Sequence, residues 1–110
     1  MRFADLPQGV IDWSRLAAAV QQGERGAATA RACQFGDIQL RLVDYGAGYL
    51  ADHWCTKGHI LFVVAGALAI EHRDGTRYEL SPGMTWHVAD EQGAPHRVIC
   101  DNGATVFIVD

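Results

Sequence analysis

The chain has 110 residues, 49% of them hydrophobic, and carries nine Lys and Arg against thirteen Asp and Glu, for a net charge of −4. That is enough apolar material for one globular domain over residues 1–110 and too little chain for a separate substrate domain, so any site must lie within a single core. No basic run exceeds a pair and no segment approaches eighteen apolar residues, which argues against a nucleic-acid partner or a membrane span.

The start Met-Arg-Phe-Ala-Asp-Leu-Pro lacks the apolar stretch of a signal peptide, so a cytoplasmic location is expected. Three cysteines, Cys33, Cys55 and Cys100, are an odd number without a CxxC pair, and reduced thiols are expected.

In chain order, Ser14 is placed to cap a short helical turn through Leu16-Ala-Ala-Ala-Val20 ending near Gly23, with an extended arm as the alternative. Strand-like runs rich in Val, Ile, Leu, Tyr, Phe and Trp then occupy 27–34, 38–45, 49–56, 60–65, 67–73, 76–80, 84–89, 96–100 and 104–109. Gly36-Asp37, Gly46-Ala-Gly48, Ser81-Pro82-Gly83 and Asp101-Asn-Gly103 supply the turns between them. Asp74-Gly75 is a two-residue hairpin signal. Short strands at this spacing predict an all-β sandwich or barrel.

The segment Gly48-Tyr-Leu-Ala-Asp-His53-Trp-Cys55-Thr-Lys-Gly-His59, with Gly66 following, concentrates metal-ligand chemistry. On an extended backbone His53 and Cys55 share a face, and His59 shares their parity across a bend at Gly58. His96, far down the chain, is the fourth candidate. Imidazole and thiolate donors suit zinc, iron(II), nickel or copper rather than calcium or magnesium. Cys33 and Cys100 read as packing residues, and His72 and His87 as ordinary histidines. Tyr49, Trp54, Phe62 and Trp86 are candidates for the walls of a pocket mouth, although Trp54 alternates with His53 and Cys55 and should point away from the metal. Lys57 and Arg97 adjoin the ligand positions, where either could hold an anionic substrate, with an ordinary exposed cation as the expected role. Asp52 would orient a ligand histidine only if the strand bends there.

The spacing Gly48…His53-x-Cys55-x3-His59-x6-Gly66 resembles the first motif of the cupin superfamily, with Cys55 where a second His is usual and His59 where a Glu is usual. Pro82-Gly83-Met84 and Ala94-Pro95-His96 resemble the second motif, with an interval from Gly83 to His96 about two residues longer than is typical. Asp52-His53-Trp54-Cys55, Phe35-Gly-Asp-Ile38, His96-Arg97 and Phe107-Ile-Val-Asp110 are similar to the small bacterial DHCW-motif cupins, with Trp and Cys in the opposite order to that name. This resemblance runs from about Ile11 to the C-terminus. It implies a jelly-roll β-barrel with a short N-terminal arm or helical turn, and a metal bound by His53, Cys55, His59 and His96. It brings no assigned reaction.

Three function classes remain open at this point. The first is a metalloenzyme acting on a small molecule, with oxygenase chemistry as the commonest cupin precedent. The others are a non-catalytic small-molecule or metal-binding module and a metal-free structural barrel. A homodimer, with the arm through Val10-Ile-Asp-Trp13 lying across a neighbour, is the expected assembly.

Overall fold

The computed structural model describes residues 3, 4 and 6–110. Met1, Arg2 and Asp5, at the start of the expected arm, lie outside that set. Ten strands follow one another: β1 (Ala19–Gln22), β2 (Ala27–Phe35), β3 (Ile38–Tyr45), β4 (Tyr49–Leu50), β5 (His59–Gly66), β6 (Leu68–His72), β7 (Arg77–Leu80), β8 (Thr85–Val88), β9 (His96–Cys100) and β10 (Ala104–Val109). They form a six-stranded sheet in the order β1-β2-β3-β10-β5-β8 and a four-stranded sheet in the order β4-β9-β6-β7. Every pairing is antiparallel. The turns read from the sequence do connect strands, and Asp74-Gly75 closes the β6–β7 hairpin, with Asp74 Oδ1 accepting from Thr76 N at 2.9 Å.

The all-β jelly-roll architecture is as expected, but closure into a barrel is not. The two sheets face each other as an open sandwich, edged by β1 and β8 on one side and β4 and β7 on the other. Between them lies the core, with Val43, Val63, Val106, Ile70 and Cys100 almost wholly buried. Cys100 is thus a packing residue, whereas Cys33 is only half-buried. Strand alternation assigns the inner face: Gln39, Arg41, Val43 and Tyr45 from β3, His59, Leu61 and Val63 from β5, and Val106 and Ile108 from β10.

Two local expectations are overturned. Residues 16–20 are not helical. A 3-10 turn spans Trp13–Arg15, capped by Asp12, whose carboxylate accepts from Ser14 N at 3.1 Å and Ser14 Oγ at 2.6 Å. Ala19–Gln22 then pairs with Ala27–Ala30 as β1. A run of so few residues cannot hold an isolated helix in water even when alanine-rich, and strand pairing gives its backbone groups partners. The strand expected over 49–56 also stops early, at Leu50, and residues 51–58 bend across the mouth of the sandwich, bonding β9 through Ala51 N to Val98 O at 3.1 Å and through a bridge between Cys55 and His96. Trp13, in the expected arm, packs edge-on against Phe107 on the outer face of its own six-stranded sheet, with ring centroids 6.4 Å apart.

Gly66 turns β5 into β6 with φ of +73°, and a Cβ there would collide with the backbone of Gly103 and Ala104. Gly75 also has positive φ (+94°) but faces open space. Gly66→Ala should therefore cost more than the ~1–3 kcal/mol of a left-handed non-glycine residue, and Gly75→Ala no more than that, as read by urea denaturation. Equal losses would contradict the assigned backbone contact.

Candidate metal centre

Cys55 and His96 exchange both backbone hydrogen bonds, Cys55 N to His96 O at 2.7 Å and His96 N to Cys55 O at 2.9 Å. Residues so paired in an antiparallel ladder put their side chains on one face, which brings the thiol of the bend over the first residue of β9. His59 opens β5 immediately after Gly58. A Cβ on Gly58 would lie 2.7 Å from Asp90 N and 2.9 Å from Ala89 C and Val88 O, so only glycine permits this close pass. Gly58 N donates to Asp90 Oδ1 at 2.7 Å and Glu91 N to Thr56 O at 2.8 Å. The long interval between Gly83 and His96 is thus taken up by a loop that grips the bend carrying Cys55.

These constraints converge Cys55, His59 and His96. Their ligand atoms all lie within 4.8 Å of one another, with Cys55 Sγ 3.5 Å from His59 Nε2. Lys57 N approaches the same sulfur at 3.4 Å. On the other edge of the His59 ring, Nδ1 lies 3.2 Å from Asp110 Oδ2, at ion-pair distance but not aligned as a hydrogen bond. The same Oδ2 accepts from Arg41 Nη2 at 3.0 Å. His96 is 5% exposed, and its Nε2 is buried without a hydrogen-bond partner among the described residues.

A buried imidazole nitrogen left without a partner is costly and uncommon. One thiol and two imidazoles around a common point form a donor set suited to a borderline or soft divalent ion, so the residues present fit a transition metal. The carboxylate of Asp110 stands behind His59 at ion-pair distance, where an aligned hydrogen bond would fix the tautomer of a ligand histidine.

The structure does not bring His53 into this group. At the bend after β4 its side chain is 75% exposed, on the lining of the cavity rather than in the cluster, with Nδ1 2.7 Å from Asp52 Oδ1. Asp52 does contact a histidine, as a bent strand end allows, and that contact holds its carboxyl below the usual range. Trp54 lies on the flank of the mouth between two cations, 4.2 Å from the Arg97 guanidinium and 5.5 Å from that of Arg73. Arg97 also bonds Glu71 at 3.3 Å, so its charge is already engaged.

A cavity of about 480 Å³ opens beside the cluster, lined by side chains of both sheets. Tyr49 and Trp86 form part of its wall as expected, and Trp86 packs against His96 with ring centroids 4.7 Å apart. Phe62 does not: it has the outward parity of β5 and is 39% exposed. Sequence reasoning missed Arg41 and Asp110. The strand pattern held the signal, since residues 39, 41 and 43 share a face and 106, 108 and 110 share another. With apolar residues on both faces, alternation alone did not say which face was inside.

His72 is buried next to His96, and its Nδ1 donates to Ala94 O at 2.7 Å. It is therefore a core residue as well as a neighbour of the turn. His87 lies on the outward parity of β8 and is exposed.

The architecture can be matched to known folds, although no family model matches the sequence and no curated protein is found as a relative. Among solved structures, the polyketide cyclase RemF from Streptomyces resistomycificus superposes with a TM-score of 0.76 at 17% identity, over 94% of this chain and 78% of that one. A predicted oxalate decarboxylase from Thermotoga maritima gives 0.77 at 10% identity, over 92% and 96%. A sugar phosphate isomerase of the cupin superfamily from Silicibacter pomeroyi gives 0.72 at 16%, over 92% and 74%. The chain has the fold of the cupin superfamily.

Burial pushes the pKa of His96 down to about 4, helped by the positive charge that His59 and His72 would carry, and burial also lowers that of His59 against the pull of Asp110. In the unfolded chain both return to about 6.5, so between the two values the unfolded state binds more protons. The stability of the metal-free protein should therefore fall as pH drops from about 6.5 toward 4. Urea midpoints at pH 7 and pH 4.5 measure this, and His96→Gln should reduce the pH dependence. An unchanged slope in that variant would mean that His96 titrates normally in the fold.

Proposed function

We propose that this protein is a metal-dependent cupin that binds a small organic molecule in the inter-sheet cavity, with the ion held by Cys55, His59 and His96. The buried, unpartnered Nε2 of His96 beside the Cys55 thiol and His59 Nε2 carries this reading. A divalent ion there supplies Lewis acidity, and iron(II) also supplies the capacity to activate oxygen. The chain's own part is to orient His59 through Asp110, to wall the ion from bulk water with Trp86, and to leave the cavity side open for a ligand. His53, exposed on the bend, is outside the proposed ligand set.

The test is elemental analysis after reconstitution with zinc, iron(II), nickel or copper and gel filtration. One ion per chain is expected, lost in His96→Ala. Asp110→Asn should weaken affinity ~10–100-fold, the range for removing the carboxylate behind a ligand histidine. His53→Ala should retain the metal. No ion in folded protein would leave the structural reading, and loss on His53→Ala would restore the four-residue set. Oxygen uptake by the iron(II) form with a small thiol, diol or dicarbonyl then separates an oxygenase from a binding module.

A second reading rests on the same line of atoms, because Cys55, His59 and Asp110 stand in the order thiol, imidazole, carboxylate that activates a cysteine nucleophile. Alkylation with iodoacetamide distinguishes the two. Zinc protects Cys55 if it is a ligand. Fast alkylation of Cys55 relative to Cys33, unaffected by zinc, would favour the nucleophile.

We also propose that two copies associate through the outer face of the six-stranded sheet, where Ile60, Phe62 and Val64 are 41%, 39% and 49% exposed. Exposed apolar side chains clustered on one strand favour burial against a like surface. Light scattering should give twice the chain mass at micromolar concentration, and Phe62→Lys should give a monomer. A monomeric wild type would sink the proposal.

A further inference from the structure

Trp54 and Arg97 adjoin Cys55 and His96 in the two sequence motifs, yet neither has a part in the metal centre. Resting on the reading that the Cys55 thiol is a working group of that centre, we infer that the two act together as positioning residues, clamping the bend that carries Cys55 against the strand that carries His96.

Ala51 N donates to Val98 O at 3.1 Å, and the Cys55–His96 bridge is the next pair of the same antiparallel run. Asp52, His53 and Trp54 therefore stand opposite Arg97 alone. The extra residues of such a bulge have no ladder partners, and among the described residues none of the three takes part in a backbone–backbone hydrogen bond. Asp52 and His53 bond each other through their side chains, a contact that ties the bulge to nothing outside it. Trp54 does reach outside it. The Arg97 guanidinium lies 4.2 Å from its ring centroid and that of Arg73 lies 5.5 Å away, both within the ~6 Å range of cation–π attraction.

The nearer cation is itself held in place. Arg97 Nε donates to Glu71 Oε2 on β6 at 3.3 Å, and Nη1 lies 3.6 Å from the more exposed Glu24 Oε2 between β1 and β2. The Arg97 side chain is 22% exposed, and a partly desolvated cation–π contact is worth more than one at an open surface. Arginine suits this place because its planar group can lie on an aromatic face while its edge donates to carboxylates. Arg73 N donates to Pro95 O at 2.8 Å, which anchors the second cation to the residue before His96. The residue before Cys55 is thereby tied through side chains to both neighbours of His96. This contact adds to the backbone bridge in keeping the thiol beside the imidazole.

Amide hydrogen exchange on the metal-free protein and spectra of the cobalt(II)-loaded protein provide the test. In Trp54→Ala and in Arg97→Met the Cys55 amide, bonded to His96 O, should exchange at least ~3-fold faster relative to the core amide of Val63, the scale of one lost cation–π contact. The double variant should exceed Trp54→Ala by little, because both changes remove the same contact. Trp54→Phe keeps an aromatic face and should fall between wild type and Trp54→Ala. Trp13→Ala, which loses an aromatic contact on the outer face, should leave Cys55 exchange unchanged. With cobalt(II) bound, the sulfur-to-metal charge-transfer band per ion should weaken in Trp54→Ala and persist in Trp13→Ala. If Trp54→Ala or Arg97→Met fails to fold, Trp54→Phe read against Trp13→Ala decides. Cys55 exchange that is the same in Trp54→Ala as in wild type, or that rises equally in Trp13→Ala, would overturn the inference. The two measurements separate the clamp from the metal reading. Faster Cys55 exchange in Trp54→Ala with no cobalt uptake by the wild type would defeat the metal reading and leave the clamp standing, and full charge transfer with unchanged exchange in Trp54→Ala would do the reverse.

Discussion

Two backbone hydrogen bonds between Cys55 and His96 hold the functional end of this molecule together. Residues 51–58 leave the sheets after Leu50, held at one end by Ala51 N on Val98 O and at the other by the contacts of Thr56 and Gly58 with the 90–91 loop, and the Cys55–His96 pair fixes the stretch between that carries the thiol. The reciprocal pair ties that loop to the start of β9 and so aligns a side chain from the first sequence motif with one from the second, forty-one positions away. His59 depends on the same arrangement from the other side. It enters β5 directly from Gly58, whose missing Cβ lets the bend pass the backbone at Ala89 and Asp90. A buried core of Val43, Val63, Val106 and Ile70 keeps the two sheets facing each other.

The strands were legible because β-branched and aromatic runs alternate with glycine-bearing turns, a pattern that local chemistry enforces. Where local chemistry was neutral, the reading failed. Leu16-Ala-Ala-Ala-Val20 has good helix formers, yet its conformation is decided by pairing with Ala27–Ala30, a tertiary contact that propensity does not contain. Open edges in place of a barrel are likewise a property of sheet association. Of the site, Cys55, His59 and His96 were visible through motif spacing, and parity on an extended strand was the wrong reason for including His53. The strand ends before it, and a bend gives alternate residues no common face. Asp110 and Arg41 became functional candidates only when β10 and β3 were seen to pair, with Ile108 opposite Arg41.

The fold by itself says little about chemistry. The same framework superposes on a polyketide cyclase, a sugar phosphate isomerase and a predicted oxalate decarboxylase, all at or below 17% identity. What a given cupin does is decided by the few side chains at the mouth. Here they form a continuous polar line from the Arg41 guanidinium through the Asp110 carboxylate and the His59 ring to the Cys55 thiol, with the buried His96 nitrogen at its end. Each member restrains the next. Asp110 accepts from Arg41 and stands at ion-pair distance from Nδ1 of His59, whose Nε2 faces the sulfur.

The central claim is that this line ends on a metal ion bound by one sulfur and two imidazoles. X-ray absorption at the zinc edge of the reconstituted protein measures that ligand set directly. The account predicts one sulfur scatterer at about 2.3 Å and nitrogen scatterers at about 2.0–2.1 Å, with the multiple-scattering pattern of two imidazoles. A shell of nitrogen and oxygen alone, identical in wild type and Cys55→Ser, would contradict it.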